Sequence, residues 1–178
     1  MKKIITICIA VLAVTVIFSC KKTKEKIDKL TEFDTSYSST FDVPASGVPI
    51  NTPFDFTTPD VETNSGTMFA SQKTVADKVT EVKLTKVTMS TDAGNFDYLK
   101  SITIFIQAPN QPEAQIATKA NVPEGRTSLD LDLNDVNIKN YITGSTFKFR
   151  ISAVFDGAVA TDQQIKLNET MHVKASLL

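Results

Sequence analysis

Between residues 147 and 155 one parity of the chain is wholly apolar. Phe147, Phe149, Ile151, Ala153 and Phe155 share it, while Lys148, Arg150 and Ser152 fall on the other. A period of two sustained over that length describes a β-strand with one dry face. Such a face has to be covered by a second layer of structure. Asp156-Gly157 follows at once. That dipeptide suits a two-residue hairpin, in which both central positions need positive φ. A return strand is expected beyond it, with Ile165, Leu167, Met171, Val173 and Ala175 in register and Glu169 interrupting them.

The same period recurs upstream. Phe33, Thr35, Tyr37, Ser39, Phe41 and Val43 line one side of a first strand, and Pro44, Gly47 and Pro49 break it. Ile50 to Thr58 resumes with Phe54 and Phe56, and its prolines restrict it to an edge or an end. Residues 60–67 have loop composition. Val75 and Val79, four apart and preceded by Ser71 as a cap, predict a short helix over 71–80. In Val82 to Met89 the apolar parity changes, which predicts a bulge near Thr85-Lys86. Ile102, Ile104 and Ile106 mark a central strand with Phe105 on its other face, and Gln115 to Thr118 is a further short strand. Leu129, Leu131 and Leu133 alternate with Asp130 and Asp132 as one half-buried strand. Phe96, Tyr98 and Leu99, and later Ile138, Tyr141 and Ile142, are expected as plugs of the core. About seven or eight short strands separated by turn signals describe an all-β fold, an antiparallel β-sandwich resembling the immunoglobulin type. The core tryptophan and core disulfide of that type are missing, so the resemblance is architectural and does not carry function.

The N-terminal region is of another kind. Lys2 and Lys3 precede an uncharged run from Ile4 to Phe18, and Ile17-Phe18-Ser19-Cys20 closes it. A positive start, a short apolar segment and a small residue are the pattern of a secretory signal. With the cysteine, the stretch resembles the lipobox of bacterial lipoproteins, although Phe18 departs from the usual small or aliphatic residue. The resemblance implies that residues 1–19 are a cleaved signal peptide and that Cys20 is the mature N-terminus, carrying the lipid. Lys21 stands where an aspartate would mark retention at the inner membrane, so the resemblance also implies outer-membrane sorting in a bacterial cell envelope. Two other readings stay open: plain secretion, and a retained helix. Ile4 to Phe18 would make roughly 22 Å of helix, short for a bilayer core of about 30 Å.

Residues 20–32 then form the lipidated end and a polar tether, with Lys21, Lys22, Lys24 and Lys26 able to sit against anionic head groups. Ile27, Leu30 and Phe33 allow a helical turn into a single domain over residues 33–178. Cleavage would remove two of the 19 basic residues and none of the 20 acidic ones, taking the formal net charge from −1 to −3. That balance gives no reason to expect a nucleic-acid partner. Cys8 would leave with the signal, so neither a disulfide nor a cysteine metal site is expected in the mature chain.

Candidates for chemistry are few. His172 is the only histidine and sits at the outward parity of the last strand. No catalytic residue and no cofactor is expected. Asp130, Asp132 and Asn134 have the spacing of a helix-flanked calcium loop, but Asp135 and Tyr141 occupy its glycine and glutamate positions. Asp92, Asn95 and Asp97 around Gly94 are the remaining weak calcium candidates. Asn168-Glu169-Thr170 matches a glycosylation triplet, which in a bacterial strand is a chance match. The expected function is therefore a membrane-anchored envelope lipoprotein whose sandwich serves as a structural or protein-interaction module. The alternative is a glycan or small-ligand binding lipoprotein, for which Phe105 is the one aromatic not assigned to the core. The expected partners are the bilayer, through Cys20, and an envelope protein or glycan.

Overall fold

The alternating run forms β9 (Thr146–Phe155), and each of its five expected apolar residues is buried. A computed structural model describes residues 32–176. The expected signal segment 1–19, Cys20, the expected tether 21–26 and the expected turn through Ile27 and Leu30 lie outside the described residues. In the six-stranded sheet β9 stands between β2 (Pro53–Thr57) and β5 (Leu99–Gln107), followed by β6 (Ala114–Ala120) and β8 (Asp132–Leu133). β3 (Val61–Glu62) pairs with β9 beyond the end of β2. The four-stranded sheet runs β1 (Glu32–Val43), β10 (Gln163–Ala175), β4 (Val79–Thr91), β7 (Ser128–Asp130). All ladders are antiparallel. The expected all-β sandwich is what the structure shows; three of its ten strands are only two or three residues long.

The inner faces supply the core. Phe41 and Val43 come from β1, Val82, Val87 and Met89 from β4, Ile102, Ile104 and Ile106 from β5, and Ile165, Leu167, Met171 and Val173 from β10. Phe96, Tyr98 and Leu99 close one end, and Ile138, Tyr141 and Ile142 plug it elsewhere, as the sequence predicts. The change of parity in β4 is resolved by a bulge. Thr170 pairs Lys86 and Met171 pairs Leu84, so Thr85 is skipped. A second irregularity, at Lys174/Ala175, keeps Val79 and Val82 both buried.

Four expectations are corrected. Asp156-Gly157 is not a hairpin turn. β9 is already flanked on both sides in one sheet and β10 on both sides in the other, so the chain crosses between layers. Gly157 is not among the residues with positive φ. It packs closely on the approach to β5, where an added Cβ would lie 3.4 Å from the Tyr98 Cα, the near limit of ordinary contact. Both Asp156 N–H and Gly157 N–H donate to the Tyr98 carbonyl.

The helix also sits earlier than expected. α1 spans Ser65–Ser71, and 76–78 is only a 3₁₀ turn before β4. Lys73, at φ 57°, ends α1 in the left-handed region, with Thr74 N–H returning to Phe69 O. Ser71 donates to Met68 O at the end of the helix rather than capping a start. Residues 60–67, expected as loop, hold β3 and the first turn of α1. Finally, Leu129 to Leu133 is not one strand. β7 pairs with β4 and β8 with β6, so the chain changes sheet at the buried Leu131, and Leu133 is left 36% exposed.

Candidate functional site

Two places on the sandwich concentrate polar chemistry. The first is the outer face of the six-stranded sheet. Inward alternation of β9 turns Lys148 and Arg150 outward, and antiparallel register sets them beside Gln107 and Phe105 of β5. The Arg150 guanidinium lies 4.0 Å above the Phe105 ring, a cation–π arrangement. Its Nε and Nη2 donate to the two oxygens of Glu113, at 2.9 and 2.6 Å, and its Nη1 to Asp55 Oδ2 at 3.0 Å. Gln107 Nε2 donates to Glu113 as well. The forked bond from Arg150 holds the Glu113 carboxyl below its ordinary range, and Glu113 in turn raises the guanidinium.

Beside this network lies an open cleft of about 420 Å³. Gln107, Pro109, Gln111, Thr146 and Lys148 line it, together with the carboxylates of Asp60 and Glu113. Lys148 takes part in none of the ion pairs among the described residues. The cleft therefore offers an ammonium, two carboxamides, a hydroxyl and two carboxylates beside the apolar Pro109. That mixture of donors and acceptors suits a small polyhydroxylated ligand. Phe105, the aromatic singled out in the sequence, is beneath Arg150 rather than open as a stacking platform.

The second place is inside. Glu169 on β10 does not interrupt the inward parity but continues it, between Leu167 and Met171, and is 1% exposed. Neither of its carboxylate oxygens has a hydrogen-bond partner, nor does Ser39 Oγ on β1. Burial pushes the carboxyl up to about 9, against the smaller influence of its own backbone amide and of Ser39. Sequence reasoning passed over this residue because its charge was read as a break. Its parity with Leu167 and Met171 was the signal that could have found it.

The remaining candidates are placed apart from both. Asn95 and Asp97 meet each other. Asn95 Nδ2 donates to Asp97 Oδ2 at 2.7 Å, Asp97 N–H returns to Asn95 Oδ1, and Gly125 N–H donates to Asp97 Oδ1. Asp92 lies exposed earlier in the same turn. Asp130 is taken up by Thr88 and Lys86, and Asp132 by Lys119. Among the described residues no group of three or more His, Cys, Asp or Glu side chains is gathered to hold a metal ion. His172 faces outward as expected, its Nδ1 2.8 Å from Asp34 and its Nε2 3.5 Å from Glu32. Cys20 lies outside the described residues.

No protein-family model matches the chain, and no curated protein sequence matches it. Among solved structures, the cyanophage Pam1 capsid is similar at 11% identity and a TM-score of 0.37, over 78% of this chain and 85% of that one. The acid-stable capsid of Helicobacter pylori bacteriophage KHP30 is similar at 8% identity and 0.35, over 79% and 92%. Desmodium yellow mottle tymovirus is similar at 10% identity and 0.31, over 82% and 84%. Likeness at this level carries no conclusion about function.

Proposed function

We propose that the chain is an envelope lipoprotein, lipidated on Cys20, whose β-sandwich is a structural or protein-interaction module. The observation that supports this is the order Lys2-Lys3, apolar run, Ile17-Phe18-Ser19-Cys20, followed by a lysine-rich tether. In this reading the tether leads into β1, the edge strand of the four-stranded sheet, and holds the domain off the bilayer. Sorting to the outer membrane follows from Lys21 in the same reading. Cys20→Ala, expressed in the native host and fractionated, should lose membrane attachment and incorporation of labelled palmitate. A variant that still pellets with membranes at full precursor length would return the uncleaved helix.

A second reading, binding of a glycan or other small polar ligand, is favoured by the cleft between Gln107, Gln111 and Lys148. Saturable binding at those residues is its test.

A further inference from the structure

Among the described residues Glu169 is the core's only buried carboxylate. Its surroundings can be named strand by strand. On β4 its cross-strand partner is Val87; Lys86 and Lys83 on that strand are paired with Asp130 and Asp135. On β1 the partner is Tyr37, with Ser39 one inward position further along. The Tyr37 hydroxyl donates to Thr63 O at 2.8 Å and approaches Met68, and its burial raises it to about 12, so it remains neutral. Across the sandwich the ring of Phe147 meets Tyr37 edge-on at 5.1 Å. Tyr37 is thus the one other titratable group on these facing positions, and no cation is among them. A charge on Glu169 would be neither paired nor hydrated, a state that proteins avoid by neutralising the group or letting water in.

The two sides of Glu169 resist water unequally. β4 is laddered to β10 on one edge, and its other edge is taken by β7 at Thr88–Ser90 and by the Leu131 N–H at Val87 O. Val87 and Met89 are buried, although the bulge at Thr85 leaves Leu84 only partly so. β1 is laddered on one edge only, and over its first half the inward residues Phe33, Thr35 and Tyr37 are only partly buried. The easiest route for water to the carboxyl runs under β1.

We propose that the Glu169 carboxyl is a proton-operated latch on edge strand β1: protonated, it lets β1 lie closed on β10, and its ionisation is coupled to β1 lifting from the sheet. Opening transfers one proton from the carboxyl to solvent. The sign follows from the two states. The closed carboxyl keeps its proton up to about pH 9, whereas the opened one gives it up near its ordinary 4.5. The closed state is therefore fully favoured below about 4.5, loses ground as pH rises, and stops changing above about 9. Across that window the opening constant of β1 should rise up to about tenfold per pH unit.

The test is amide hydrogen exchange on the full chain in detergent at about pH 5.5, 7 and 8.5, corrected for intrinsic exchange, in wild type and Glu169→Gln. Protection of β1 amides in the wild type should fall about tenfold per pH unit relative to β5 amides, and should be flat in the Gln variant. Glu169→Met serves if the Gln variant does not fold. A wild-type β1 whose protection follows pH no more than β5 does overturns the latch. So does parallel loss in β5 and β9, since the proton would then act on global unfolding.

Discussion

Phe149 and its neighbour Lys148 share a strand and a backbone environment but point to opposite sides of the sheet, so together they test the architecture. Phe149 is 0% exposed and lies opposite Ile106, which is also fully buried. Its ring meets Phe147 edge-on at 5.3 Å, and its backbone is held by Thr58, whose N–H donates to Phe149 O and whose Oγ1 accepts from Phe149 N–H. A buried Phe removes about 150–250 Å² from water, worth about 4–6 kcal/mol at about 25 cal/mol per Å². Alanine keeps a share of that area, while the cavity and the lost edge contact add to the cost. With strands laddered on both sides of β9 the site has little room to collapse, so Phe149→Ala should cost about 3–5 kcal/mol. Lys148 faces the cleft and is only partly buried; Lys148→Ala should move stability by no more than about 0.5 kcal/mol. Urea unfolding of both variants, read from their midpoints at unchanged slope, gives the comparison. Comparable losses at the two positions would mean that β9 is buried on both faces. An exchange of the two outcomes would mean a register slipped by one residue.

If the cleft binds a ligand, titrating the intact protein with neutral and acidic disaccharides should give saturable NMR shifts at Gln107, Gln111 and Lys148, lost in Lys148→Ala; no saturable shift at these residues in either series counts against the ligand reading. A chelator should leave the melting temperature unmoved, because Asn95 and Asp97 already satisfy each other and the Gly125 amide. A drop of several degrees with chelator, reversed by calcium, would make that turn a metal site.

What could be read from the sequence was what periodicity controls. β9, β5 and β1 came through because each alternates inward and outward residues, with only Thr35 and Ser39 polar on the inward side of β1, and is paired over most of its length. The β4 bulge was legible because a single strand cannot turn Val82 and Val87 to the same side without skipping a residue. Periodicity says which way a side chain faces, however, and not which sheet the strand joins. Leu129 and Leu133 alternate perfectly yet belong to different layers, and Asp156-Gly157 links layers where a hairpin was expected. The helix was misplaced because Val75 and Val79 were read as one helical face, whereas Lys73 had already ended α1 and Val79 opens β4. At the candidate sites, the outward row of β9 was visible as charged residues. Its fork to Glu113 and Asp55 was not, since those partners come from segments 37 and 95 residues away.

The pairing of the first described strand with the last has a mechanical meaning. Glu32 stands opposite Lys174 and Val43 opposite Gln163, so the chain enters and leaves the domain at the same end of one ladder. A load applied between those two ends would peel β1 from β10 one rung at a time, beginning at Glu32, and each rung would bear it alone. A load between Glu32 and the opposite end of the sandwich would instead pull along the strands, and twelve residue pairs would share the force. Were the domain tethered by its leading segment, as proposed, its resistance to traction would depend on where the other hand takes hold. It would be strong when gripped at the end carrying Pro44 and Asp162 and weak when gripped at Ala175.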